Sequence, residues 1–153
     1  MAKPAPHAGL VIRYDYLWKS EKLKGREEGS KTRPCAVVVT MADDRALVCG
    51  ITHTPPDWPD DGVEVPPRER AALGLDSERQ WVVTSEANIL DWDDPGIVPL
   101  PSGDWSYGDL SRELAEAVRA SAVRNPRSEA AERAQAERVG AGRFARRLRN
   151  GAN

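Results

Sequence analysis

Arg33 closes the polar segment Gly25-Arg26-Glu27-Glu28-Gly29-Ser30-Lys31-Thr32 and leads through Pro34 straight into the apolar run Cys35-Ala36-Val37-Val38-Val39. A guanidinium stays charged at any cellular pH, and its planar fork of donors matches phosphate oxygens better than the point charge of a lysine does. Its pKa above roughly 12 makes it a poor proton acceptor, so what it offers is electrostatic stabilisation of an anion. A second polar group, Thr52-His53-Thr54, ends another apolar run. It adds two hydroxyls and an imidazole, which titrates near pH 6.5 when unperturbed and can exchange protons. Strand alternation sets Thr52 and Thr54 on one face and His53 on the other. His53 therefore reads either as a hydrogen-bonded surface histidine or, where the strand ends, as a proton acceptor. Glu27 and Glu28 read as solvated loop acids, as a proton acceptor or as groups that position Arg33. Of the five tryptophans, Trp58 in the proline-rich loop is the stacking candidate, and the others suit a core or loop lids.

The elements that must position these groups are mostly strands. Residues 9–18 alternate, with Leu10, Ile12, Tyr14 and Tyr16 on one face. Residues 19–32 read as a polar surface loop. The β-branched run from Cys35 to Thr40 predicts a central strand buried on both faces, joined by a turn near Ala42-Asp43-Asp44 to a hairpin partner from Ala46 to Thr52. Three prolines exclude regular structure over 55–62. A short strand at 63–65 precedes a two-turn helix over 66–74, with proline at its start and glycine at its end. Further strands are expected at 81–85 and, on an edge, at 96–100. From Asp109, a plausible N-cap, the apolar spacing of Leu110, Leu114, Ala117, Val118 and Ala122 becomes helical, and Asn125-Pro126 stops it. Such short strands joined by Gly, Pro and Asp turns predict a mainly β fold, a small barrel or a sandwich, carrying a short internal helix and a C-terminal amphipathic helix. The expected organisation is a flexible N-terminus over 1–8, one barrel domain with its packed helix over 9–125, and a basic helical or disordered tail over 126–153.

At 153 residues, 40% of them hydrophobic and 30% charged, the chain suits one globular domain with appendages. No apolar run approaches the roughly 20 residues that span a bilayer, and the N-terminus lacks a signal-peptide pattern, so a cytoplasmic protein is the default expectation. Cys35 and Cys49 lie inside apolar runs, where a free thiol behaves as a small buried hydrophobe. With His7 and His53 scattered, they give no metal-ligand spacing. Residues 1–111 are net acidic and residues 112–153 net basic, so a nucleic-acid partner would have to meet a local basic patch.

The loop ending in Arg33-Pro34 before a valine strand resembles the signature of the PemK/MazF toxin family. The resemblance extends to the Gly9 strand start, to Gly50-Ile51-Thr52-His53-Thr54 and to the apolar strand closing on Glu86, and covers roughly residues 9–123. It implies an SH3-like barrel, a homodimer, and a metal-independent endoribonuclease that uses no cofactor, cleaves single-stranded RNA and is held in check by a cognate antitoxin with an acidic, disordered tail. It further implies catalytic roles for Arg33, Thr52 and Glu86; beside these, residue type and position add His53 to the catalytic candidates and Lys31, Glu27, Trp58 and Thr54 to the RNA-binding ones. Three departures stand out. Leu10 sits where an acid is common, His53 where a serine often follows the threonine, and Thr84 where some members carry an arginine. A non-catalytic barrel that binds a nucleic-acid or protein partner is the alternative, since a fold alone does not settle activity.

Overall fold

The valine-rich run after Pro34 extends further than its apolar residues, as strand β2 (Thr32–Met41), and returns as β3 (Arg45–Thr52). Asp43 and Asp44 make the turn with φ of 61° and 53°, in the left-handed region that Asp tolerates better than most residues. The computed structural model describes residues 2–15 and 32–125, which leaves the expected loop over 16–31 and the tail over 126–153 outside the described residues. β1 (Leu10–Asp15) lies on one side of the hairpin and β5 (Trp81–Asp91) on the other. With β4 (Gly62–Glu64), β6 (Ile97–Val98) and β7 (Gly108–Asp109) the described residues form a seven-stranded sheet. Its order is β4-β5-β3-β2-β1-β6, with β7 also paired to β1, and all its pairings are antiparallel. The result is the mainly β, curled half-barrel expected from the strand pattern, with β6 on the edge as predicted.

Alternation along the hairpin feeds two apolar clusters on opposite faces. Ala36, Val38, Leu47, Cys49, Ile51 and Val82 join Leu114, Val118 and Ala122 of helix α2 (Arg112–Arg124) in the first. Leu10, Ile12, Cys35, Val37, Ala46, Val48 and Leu90 form the second, closed by Trp92 and Ile97. Trp92 donates its indole N–H to the Pro4 carbonyl at 2.8 Å, and Lys3 bonds the Trp92 carbonyl, so the N-terminal segment is strapped over this face. Cys35 and Cys49 are free and buried, one in each cluster, which keeps their side chains on opposite sides of the sheet. Burial pushes the Cys49 thiol up to about 12.

Several expectations are corrected. The second helix starts at Arg112, and its N-cap is Ser111, not Asp109. Ser111 Oγ accepts from the Leu114 amide at 3.1 Å and donates to Glu69 at 2.9 Å, so a carboxylate from helix α1 (Pro67–Ala72) clamps the cap. Asp109 instead pairs with Leu10 in β7. Ala117 faces solvent. β5 runs on to Asp91 because β3, after a bulge, pairs with it again from Ala87 to Asp91. The proline-rich loop contains one turn of 3-10 helix at Pro59–Asp61, whose Asp60 carbonyl accepts from Ser121 and Asn125. Among the described residues no helix is long and apolar enough to cross a membrane.

Gly96 packs under the Tyr14 ring, where an added Cβ would lie 2.7 Å from Cε2. The Gly96→Ala substitution is expected to cost about 1–3 kcal/mol by overpacking, read as a lowered denaturation midpoint at unchanged slope. An unchanged midpoint would show that the ring is free to move aside.

Candidate functional site

The position of Arg33 follows from strand pairing. It lies opposite Tyr14 of β1. The β2–β3 register pairs Cys35 with Gly50 and Ala36 with Cys49, and continuing it two residues sets Arg33 opposite Thr52. Cross-strand partners share a face with Cβ atoms roughly 5 Å apart. Arg33 has the parity of Cys35 and Val37, and Thr52 that of Ala46 and Val48, so both belong to the face of the second cluster. The electrostatics agree, because the Arg33 guanidinium acts on the Cys35 thiol, though burial wins and leaves that thiol well above its ordinary value. Arg33 Nε is fully buried. The side chain thus stands with its base enclosed, at the end of a strand whose continuation is core.

Thr52 is half-buried, and its Oγ1 accepts from the Thr54 amide at 3.2 Å. That short turn ends the strand, leaves the hydroxyl hydrogen to be donated elsewhere, and carries Thr54 into solvent. Glu86 reaches the same face by a different route. Cys49 pairs with Ala87 but Ile51 pairs with Val82, so β5 bulges between them. Thr84 bonds Ser121 of α2 at 2.6 Å and Ala87 packs on the first cluster. Glu86, next to Ala87, therefore turns to the second face, the face to which parity assigns Arg33 and Thr52. Register and parity thus set Arg33, Thr52 and Glu86 on one face of three adjacent strands, while Thr84 bonds toward the helix.

His53 goes the other way, as alternation predicted. Its Nε2 lies 2.7 Å from Asp76 Oδ2 and 3.6 Å from Glu78, in the segment between α1 and β5. Asp76 is a hub there, accepting also from the Glu78 amide and the Gln80 side chain. Among the described residues these three form the group whose donor atoms converge most like a cation site, all exposed. Arg70, 8% exposed and bonded to the Glu78 carbonyl at 2.7 Å, adds its positive charge to the same spot and opposes a metal ion. The cluster reads as ion pairs that pin the loop. Trp58 is 59% exposed, the large apolar side chain most open to solvent among the described residues. Glu27 and Lys31 lie outside the described residues. Sequence reasoning missed Tyr14 and Trp81 as neighbours of the site. Tyr14 pairs with Arg33, and Trp81 pairs with Thr52; the signal was the hairpin register, extended one strand outward on each side.

The bond from His53 holds the Asp76 carboxyl below its ordinary range, ahead of the Glu78 amide and Arg70. A depressed folded-state pKa contributes stability that is present above the unfolded value, near 3.9 on the order of model peptides, and is lost as pH falls through the folded one. Asp76→Asn should therefore melt slightly below the parent at neutral pH and converge with it at pH values under that range. Thermal melts across pH test this, and a gap that widens in acid would refute it.

No protein-family model matches the chain, and no curated protein does. Solved structures do. A chain of the MazE–MazF complex from Deinococcus radiodurans superposes with a TM-score of 0.52 at 18% identity, over 79% of this chain and 94% of that one. The Mycobacterium tuberculosis toxin MazF-mt6 gives a TM-score of 0.47 at 17% identity, over 73% of this chain and 90% of that one. With its curled antiparallel sheet and the order of its elements, the chain has a PemK/MazF-like fold.

Proposed function

We propose that this protein is the toxin of a toxin–antitoxin pair, an endoribonuclease that cleaves single-stranded RNA in the cytoplasm without a metal ion. What supports the reading is the strand register, which assigns Arg33, Thr52 and Glu86 to one face of three adjacent strands. Attack of a ribose 2′-hydroxyl on its own phosphate needs an acceptor for the hydroxyl proton, charge stabilisation for the pentavalent phosphate and a proton for the leaving 5′-oxygen. Arg33 is assigned the phosphate oxygens, with its enclosed base limiting reorganisation during the reaction. Thr52 donates its hydroxyl to a phosphate oxygen. Glu86 takes the 2′-hydroxyl proton, a role for which His53, bonded to Asp76, is poorly aimed. As the 2′-oxygen bonds to phosphorus the bond to the 5′-oxygen breaks, and Arg33 donates the proton that the leaving oxygen takes up, regaining it from water. Single strands suit the site because their bases splay and the 2′-hydroxyl can align with the phosphate.

Thr54 and Trp58 stand on the loop that leaves Thr52 and are assigned to the RNA, as are Lys31 and Glu27 from the segment before Arg33. The protein acts as a homodimer, and its antitoxin lays an acidic segment along the Arg33 groove in place of the phosphates. Charge matching supports this partner, since carboxylates present to the guanidinium the same planar oxygens that phosphate does.

The test is cleavage of a single-stranded oligoribonucleotide in EDTA. Arg33→Ala is expected to lower the rate on the order of a hundredfold or more. Undiminished cleavage by that variant would overturn the assignment. A wild-type protein that binds the RNA and leaves it intact would favour a non-catalytic binding module.

A further inference from the structure

The line of residues that holds Arg33 and Thr52 continues on both sides. Thr52 pairs with Trp81, and Trp81 pairs in turn with Glu64. Arg33 pairs with Tyr14. Partners share a face, so Glu64, Trp81, Thr52, Arg33 and Tyr14 form one row across five strands. With strands about 4.8 Å apart, the two aromatic residues stand roughly 14 Å from each other with the threonine and arginine between them.

Both rings are held in place. Tyr14 packs on the second apolar cluster, donates to Asp94 Oδ2 at 3.0 Å and has Gly96 against its ring edge. Asp94 in turn accepts from the Gly96 amide at 2.7 Å. Because the hydroxyl is engaged, what Tyr14 offers a ligand is its ring. At the other end the Arg79 guanidinium lies 5.0 Å from the Trp81 ring centroid, and Glu64 fixes it by two bonds of 2.9 and 2.7 Å. Arg79 remains 68% exposed, so the stack presents a planar, charged outer surface.

We infer that Tyr14 and the Trp81–Arg79 stack are base platforms that seat single-stranded RNA, with the phosphate between two splayed bases resting on Arg33 and Thr52. This rests on the endoribonuclease reading above. Three features of the row argue for a nucleic acid as its occupant. Aromatic and guanidinium planes are the surfaces on which unstacked bases settle. The cations Arg33 and Arg79 meet the backbone charge. The fixed side chains lose little freedom when the ligand arrives.

The experiment uses the full chain and a fluorescent 2′-O-methyl oligoribonucleotide, which cannot be cleaved. Tyr14→Leu and Trp81→Leu keep apolar bulk and remove the aromatic face. Each is expected to weaken binding about tenfold or more and, on cleavable RNA, to raise KM more than it lowers kcat. Tyr14→Phe should recover what Tyr14→Leu loses, which a purely structural effect of the hydroxyl would not do. Circular dichroism identifies any variant that fails to fold; Trp81→Phe then replaces Trp81→Leu, with a smaller loss expected. Folded Leu variants that bind as the parent does, while Arg33→Ala stops cleavage, would overturn this inference alone. Undiminished cleavage by Arg33→Ala would overturn the reading beneath it. A parent protein that fails to bind the oligonucleotide would overturn both.

Discussion

Burial of the β2–β3 hairpin on both faces is the constraint on which the rest depends. Val37 and Val48 are shut in on one side, Leu47 and Cys49 on the other, all within 1% of full burial. A strand buried on one face tolerates little slippage, because a shift of one residue exchanges the two sets of side chains. Buried on both faces it tolerates still less, since the sets differ in size and in what covers them. Helix α2 lies over one face, and the N-terminal strap, Trp92 and Ile97 close the other. The register is thereby locked, and with it the place of Arg33 and Thr52 two residues beyond the last buried pair. The core does not touch the chemistry, but it sets where the chemistry stands.

One deliberate break in that regularity completes the site. Were β5 a regular strand, Glu86 would share the parity of Val82 and Thr84 and point toward α2. The bulge opposite Gly50 changes the parity, so that Ala87 takes over the α2 side and Glu86 is turned to the face that carries Arg33. Bulges that re-aim a side chain are common beside functional sites, and here the re-aimed group is the carboxylate to which the proposed function assigns proton acceptance.

Much of this was legible in the residues. A β-branched run, a pair of turn-forming aspartates and a second apolar run specify the hairpin by composition and alternation, and the same alternation correctly turned His53 away from Thr52. What escaped depended on contacts distant in sequence. Ser111 caps α2 because Glu69, 42 positions earlier, clamps it, and nothing local favours it over Asp109. Ala87 and Asn88 have poor intrinsic strand preference, so β5 seemed to stop early; pairing with β3 overrides that preference. The aromatic row needs the registers of β1, β2, β3 and β5 at once. No single stretch of chain contains it, whereas Arg33-Pro34 announces itself within two residues.

The hairpin is also electrically polar along its length, which bears on how an acidic chain could hold an anion. Arg33 and Thr52 are at its open end. At the turn end, Asp43 and Asp44 lie with Asp91 and Asp93 in one concavity beside Lys3 and Trp92. Arg45 belongs to that end too, held locally to the Ala42 carbonyl. The turn carboxylates and Arg33 are about eight residues of strand apart, on the order of 25 Å, well beyond the Debye length of about 8 Å at physiological ionic strength. The carboxylates therefore barely weaken the field at Arg33, yet they repel a polyanion that approaches the turn. Net charge says little about such a molecule. Its gradient along one hairpin favours a strand of phosphates lying across the open end of the sheet, parallel to the row of Tyr14, Arg33, Thr52 and Trp81, and disfavours one lying lengthwise along β2 and β3.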